Sequence, residues 1–186
     1  KFANFKYNAT IFEKFIKSIS NYLGRKISIF DYGANWGYKA YQFNSFDFVD
    51  FVECYELSEP RRKFGEKNLG IKYINNMFEI NQKFDVFFSS HVIEHMCNPL
   101  EIKDWSNYLL KKDGILLITC PNGSDSAKTN HNWSKLWGQV HPNFISDEFL
   151  IRNFGDYNGN IFDENEIEYK KINKSLFKKN ISSSNP

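Results

Sequence analysis

Residues 27–37 read Ile27-Ser28-Ile29-Phe30-Asp31-Tyr32-Gly33-Ala34-Asn35-Trp36-Gly37. A short run with β-branched character over 27–30 ends at an acid and passes into a turn carrying two glycines. A buried strand handing over to a helix has this pattern. Gly33 and Gly37 permit a tight turn and close backbone approach. The helix expected over Tyr38–Phe43 offers free N–H groups at its start. Working outward, Thr10–Leu23 places Ile11, Phe12, Phe15, Ile16, Ile19 and Leu23 at helical spacing, with Gly24 as the stop and a capping box expected from Thr10 and Glu13. On the other side, 48–55 is apolar with little polar relief and reads as a second buried strand. Ser58, Glu59 and Pro60 open a helix that closes near Gly70, and 71–74 is a third strand. A fourth strand is expected over 84–88, then a helix over 99–110 capped by Asn98 with Glu101 three residues on. A turn of Lys112, Asp113 and Gly114 introduces a fifth strand over 115–120, ended by Pro121. Five apolar strands alternating with helices predict an α/β fold: a doubly wound, mostly parallel sheet with helices on both faces.

Past Pro121 the pattern loosens. Residues 122–145 are rich in Asn, Ser and Trp and read as a loop or cap, and Ser146 starts another helix with Asp147 and Glu148 in its first turn and Gly155 at its end. Only 167–172 then resembles a strand. The expected organisation is one domain over 1–177 followed by a loose, Lys/Asn/Ser-rich tail over 178–186, with an abbreviated or irregular sheet edge at the C-terminal side.

The 186 residues are 41% hydrophobic, 18% aromatic and 25% charged, which is a globular composition with ample aromatic material for a core. The 24 Lys and Arg against 22 Asp and Glu leave +2, too little for a phosphate-neutralising grip on nucleic acid. No apolar run approaches the roughly 20 residues a bilayer needs, so no membrane partner is expected. Cys54, Cys97 and Cys120 form an odd set without C-x-x-C spacing, which favours free thiols and a reducing cytoplasm.

In an open parallel sheet the ligand lies beyond the carboxyl ends of the strands. Glu56 closes the second strand, and an acid there can accept both hydroxyls of a ribose. The alternative is a carboxylate that only complements the start of the following helix. With the glycine turn, Glu56 indicates a nucleoside-containing cofactor without naming it.

The fourth strand continues as Lys83-Phe84-Asp85-Val86-Phe87-Phe88-Ser89-Ser90-His91-Val92-Ile93-Glu94-His95-Met96-Cys97-Asn98-Pro99, and the fifth lies in Leu109-Leu110-Lys111-Lys112-Asp113-Gly114-Ile115-Leu116-Leu117-Ile118-Thr119-Cys120-Pro121-Asn122. Together with 31–37 and Glu56, these resemble the ordered motifs of class I S-adenosylmethionine (SAM)-dependent methyltransferases, over roughly residues 27–122. The resemblance implies a Rossmann-like fold, SAM as cofactor and S-adenosylhomocysteine as product. It implies that Gly33, Ala34 and Gly37 line the methionine end, with Asp31 holding its amino group. Glu56 would hold the ribose, Asn76 and Met77 would flank the adenine, and Ser90 and His91 would close the site beneath the sulfonium. One departure is Asn35, where the family has a glycine, followed by the bulky Trp36; Asn tolerates left-handed backbone better than most residues.

Methyl transfer needs alignment and, for a hydroxyl acceptor, a base. His91, Glu94, His95 and, from the cap, His141 are the candidates, since histidine titrates near neutrality; each is equally readable as a structural hydrogen-bonding residue. Ubiquinone-pathway and small-RNA terminal O-methyltransferases look similar through a metal-binding E-x-x-E-H, here His91-Val92-Ile93-Glu94-His95. A metal-free enzyme is the expectation; His91, Glu94, His95 and His141 are the ligands if a divalent cation is used. Trp133 and Trp137 are expected to wall an acceptor site or to plug the sheet end. The expected acceptor is an oxygen of a small molecule or glycan precursor. Two other readings stay open: a nicotinamide-dependent oxidoreductase, which would want a tighter G-x-G-x-x-G, and a non-catalytic methyltransferase-like partner subunit.

Overall fold

The structure, a computed structural model, describes residues 8–129 and 140–157. Ten elements follow in order: α1 (Thr10–Leu23), β1 (Ile27–Tyr32), α2 (Tyr38–Phe43), β2 (Val49–Tyr55), α3 (Glu59–Leu69), β3 (Lys72–Ile74), β4 (Phe84–Ser90), α4 (Glu101–Leu109), β5 (Leu110–Thr119) and α5 (Asp147–Phe154). Single 3₁₀ turns intervene at Met77–Glu79, Ile93–His95 and Asp125–Thr129. The strands form one sheet in the order β3-β2-β1-β4-β5, every neighbouring pair parallel. The chain winds from β1 out to β3 and then crosses to β4 on the other side of β1. The strand order therefore reverses between β1 and β4, which opens a crevice at their carboxyl ends.

Side chains alternate along the strands and supply a core to each face. On one face Ile27 and Ile29 of β1 and Val86 and Phe88 of β4 pack under Phe12, Ile16 and Ile19 of α1 and Ala40 and Phe43 of α2. Phe88 meets Phe12 and Phe43 edge to face, with ring centroids 5.1 Å away in both cases. On the other face Phe30, Tyr32, Phe84 and Phe87 pack with Ile102 and Leu109 of α4 and with Met77, Ile80, Ile93 and Ile145. The expected doubly wound fold, helices on both faces, is the observed one. The expected irregular sheet edge lies outside the described residues.

The amino-end of the sheet is pinned by a buried charge. Asp85, 1% exposed, accepts from the Ser28 backbone N–H and hydroxyl and from Lys111, each at 2.9 Å, and pairs with Arg25 at 2.5 Å. Burial alone would push its carboxyl up; the hydrogen bonds from Ser28, Lys111 and Arg25 outweigh that and hold it below the ordinary aspartate value.

Three local expectations are corrected. Thr10 and Glu13 make no capping box: Ala9 occupies the cap position, and Asn8 Oδ1 accepts from both the Thr10 N–H and its hydroxyl. α4 begins at Glu101 rather than at Pro99, and Asn98 instead accepts from the Leu100 N–H at 3.2 Å. Lys112, Asp113 and Gly114 do not form a turn ahead of β5. The strand starts at Leu110, directly after α4, and its pairing with β4 jumps from Phe84↔Leu110 to Val86↔Ile115. The extra residues 111–114 bulge out of the ladder opposite Asp85, and Lys111 reaches back to that carboxylate.

Candidate functional site

Asp31 comes last but one in β1, at the crevice. It is 2% exposed, and among the described residues its Oδ2 has no hydrogen-bond partner. Burial pushes its carboxyl up to about 7, against the lowering pull of Lys39 and with a further push from Glu56. Lys39, in the first turn of α2, donates to Ser90 Oγ at the tip of β4 at 2.6 Å. Its ammonium lies 5.6 and 5.8 Å from the ring centres of Phe12 and Phe88. Thr119, at the end of β5, donates to the same Ser90 oxygen at 2.8 Å. The tips of β1, β4 and β5 and the start of α2 thus converge on one polar nook.

The glycine turn is held by β2. The Gly33 and Ala34 N–H groups both donate to Tyr55 O, at 2.8 and 3.0 Å, and Tyr73 donates to Asn35 O at 3.0 Å. Asn35 takes the left-handed conformation (φ 56°) that its side chain tolerates, so its departure from glycine leaves the turn intact. Gly33 and Gly37 are required for packing as well as for their φ of 80° and 81°. A Cβ on Gly33 would fall 2.3 Å from a Val92 methyl, and one on Gly37 2.6 Å from the Tyr73 hydroxyl. Trp36 turns onto α3, edge to face with Phe64 at 5.2 Å and under Arg61.

Glu56 is 8% exposed, with Oε2 accepting from the Asn35 N–H at 2.8 Å and Oε1 from the Ser58 N–H at 2.9 Å. It does complement the start of its own helix, and it also ties that helix to the glycine turn. Each carboxylate oxygen keeps a second acceptor position. The structure separates the two residues expected beside adenine. Asn76 is exposed and caps its own turn, accepting from the Phe78 N–H, whereas Met77 is buried in the second-face core.

Beyond β4 the candidate bases do come together. His91 is left-handed (φ 57°), with its N–H on Thr119 O at 2.8 Å and its ring half exposed. Its Nδ1 lies 3.2 Å from Oε1 of Glu94, a residue with no exposure whose Oε2 has no hydrogen-bond partner among the described residues. In the tautomer with the proton on Nδ1, the ring donates to Glu94 and presents its Nε2 lone pair. His95 Nδ1 likewise donates to Val140 O, and its Nε2 lies 3.9 Å from Glu94 Oε1. The rings of His95 and His141 meet with centroids at 4.5 Å. Glu94, His95 and His141 each bring one ligand-type atom to within 4.8 Å of the others. Asn143 fastens this segment to the β4 loop through Glu94 O and Met96 O. Burial, with the Glu94 charge behind it, pushes the Cys120 thiol up to about 12, which leaves it inert as a nucleophile.

Sequence reasoning missed Lys39, Thr119 and Asn143. Lys39 did leave a signal: a cation in the first turn of a helix opposes the helix dipole and calls for a local reason. Trp133 and Trp137 lie outside the described residues.

A family model described as a methyltransferase domain matches residues 5–162. The chain belongs to this methyltransferase-domain family. Its fold is shared with solved methyltransferases. One is an O-methyltransferase family protein from Burkholderia thailandensis, at TM-score 0.60 and 15% identity over 83% of this chain and 52% of that one. A second, from Thermotoga maritima, is described as a possible histamine N-methyltransferase, at TM-score 0.56 and 18% identity over 82% and 81%. A third is the plantazolicin methyltransferase BpumL in complex with a triazolic desmethylPZN analog and S-adenosylhomocysteine, at TM-score 0.56 and 18% identity over 75% and 55%. The chain thus spans about half the length of BpumL and of the Burkholderia protein. Among curated proteins none matches it. Among the described residues no helix of this methyltransferase domain is long and apolar enough to cross a membrane.

Proposed function

We propose that this methyltransferase-domain protein is an enzyme that transfers a methyl group from SAM to an oxygen of a small molecule or glycan precursor, in a reducing cytoplasm. The observation that carries the reading is Asp31, a buried carboxylate with an oxygen unpartnered among the described residues, placed where the strand order reverses and within the electrostatic reach of Glu56. An orphaned buried acceptor is costly unless a ligand donor completes it, and the ammonium of an amino acid is such a donor. Asp31 and the 33–37 turn would hold the methionine end, and Glu56 the ribose through its remaining acceptor positions. When bound, SAM supplies a methyl group already activated by its positive sulfur.

The chain's own part is orientation and proton removal. In the tautomer that donates Nδ1–H to Glu94, His91 presents Nε2 with its lone pair. Nε2 can accept the hydroxyl proton of the acceptor while that oxygen gains the methyl group. Glu94, fully buried behind the ring, fixes the tautomer and offsets the charge of the imidazolium that forms. The clustering of Glu94, His95 and His141 favours a second reading in which a divalent cation binds there and orients the acceptor.

Stabilisation by ligand tests the proposal. S-adenosylhomocysteine is expected to raise the melting temperature and NAD to leave it unchanged, because a ligand that binds only the native state shifts unfolding. His91→Gln is expected to keep that shift and to lose about a hundredfold in methyl transfer in an acceptor screen. No response to S-adenosylhomocysteine would remove the cofactor assignment. Stoichiometric bound metal, with activity lost to EDTA, would install the second reading in place of the metal-free one.

A further inference from the structure

Lys39 is an odd residue to find at the crevice. It stands in the first turn of α2, where the helix dipole disfavours a cation, and its ammonium lies 5.6 and 5.8 Å from the ring centres of Phe12 and Phe88. It donates to a hydroxyl, Ser90, and acts on the Asp31 carboxylate through its charge. Ser90 Oγ already accepts from Lys39 and from Thr119, so both of its acceptor positions are filled. The Ser90 proton is then left to donate. One cation at the start of α2 and one O–H donor at the tip of β4 thus converge near a carboxylate at the tip of β1 that wants a donor. An α-amino acid carries the complementary pair, a carboxylate and an ammonium on one carbon.

Resting on the SAM reading above, we infer that Lys39, with Ser90, anchors the α-carboxylate of the cofactor while Asp31 takes its ammonium, so that the site selects nucleosides carrying an intact amino acid. Lys39 is then a specificity residue rather than a brace for the glycine turn. A brace would affect every ligand of the crevice alike; a carboxylate anchor affects only ligands that have the carboxylate.

The experiment compares S-adenosylhomocysteine with its decarboxylated analogue by titration calorimetry on wild-type protein and on Lys39→Met, Lys39→Arg and Ser90→Ala. The wild-type protein is expected to prefer the intact ligand by tenfold or more. Lys39→Met is expected to remove that preference by weakening the intact ligand alone, leaving the analogue within twofold of its wild-type affinity. Ser90→Ala is expected to reduce the preference several-fold, and Lys39→Arg, which keeps the cation, to retain part of it. Equal weakening of both ligands in Lys39→Met, or no wild-type preference, overturns the inference while leaving SAM binding in place. Failure of the wild-type protein to bind either ligand overturns the cofactor reading and this inference with it. The Arg variant guards against loss of fold, because a misfolded Lys39→Met with a discriminating Lys39→Arg still upholds the anchor.

Discussion

Two buried aspartates stand at opposite ends of the same sheet. Asp85, at the amino end of β4, receives donors from Ser28, Lys111 and Arg25 and is held below its ordinary value. Asp31, at the carboxyl end of β1, has an oxygen with no hydrogen-bond partner among the described residues and is pushed up to about 7. Both are almost fully shielded from water. Each has one oxygen that accepts no hydrogen bond among the described residues. At Asp85 that oxygen is ion-paired with Arg25, whereas at Asp31 no described residue is ion-paired with it. Asp85 is thus the completed joint and Asp31 half of an interaction. A fold that satisfies one carboxylate and strands the other concentrates its cost where a ligand can relieve it.

Neutralising each carboxylate should therefore have opposite effects. For Asp31, a folded value near 7 against 3.8 means that folding favours the protonated form. The stability this gives is full below pH 3.8, is lost as pH rises through 7, and by pH 8 an ionised Asp31 costs up to about 4 kcal/mol. Asp31→Asn is expected to be more stable than wild type at pH 8 and equal to it near pH 4 in denaturant titrations, while losing S-adenosylhomocysteine affinity. Lys39 and Glu56, the charges acting on Asp31, set how far the gain falls short of that ceiling. Equal destabilisation at both pH values would break the contrast.

Asp85→Asn should be destabilising by roughly 3 kcal/mol at pH 7, since Lys111 and Arg25 lose a buried partner. The loss should shrink in acid, as the lowered carboxyl of the wild type is itself protonated, and S-adenosylhomocysteine affinity should be unchanged. A shift in affinity would mean that the two ends of the sheet are coupled.

The smallest effect belongs to the glycine turn. Gly33→Ala should cost about 2 kcal/mol, from its positive φ and from the methyl thrust at Val92. Val92→Ala in the same chain should recover part of it, by thermal unfolding. No recovery would assign the whole cost to the backbone.

The legible part of the fold was the part fixed by local pattern. Thr10–Leu23 and Tyr38–Phe43 announce themselves by apolar spacing and by the glycines beside them, and Ser146 by its cap, which accepts from the Phe149 N–H as its position implies. Reading failed where a distant residue competes for a local signal. Lys112, Asp113 and Gly114 have turn chemistry, but Lys111 is drawn to Asp85, a residue of another strand, and the segment becomes a bulge. Thr10 and Glu13 have capping-box spacing, and Asn8 captures the Thr10 hydroxyl first. The site divides the same way. Asp31, Glu56, His91 and Glu94 stand out because acids and histidines at strand ends are rare in apolar surroundings, whereas Lys39, Thr119 and Asn143 are unremarkable in the sequence.

Sequence alone determined the alternation of strands and helices, the glycine turn after the first strand and the identity of the acids and histidines at strand ends. These depend on residue spacing and backbone preference, which are properties of neighbours along the chain. Only the tertiary structure decided which carboxylate is completed and which is left wanting, and which lysine faces it. Hydrogen-bond completion and desolvation depend on residues brought together from β1, α2, β4 and β5, and no local pattern carries that information.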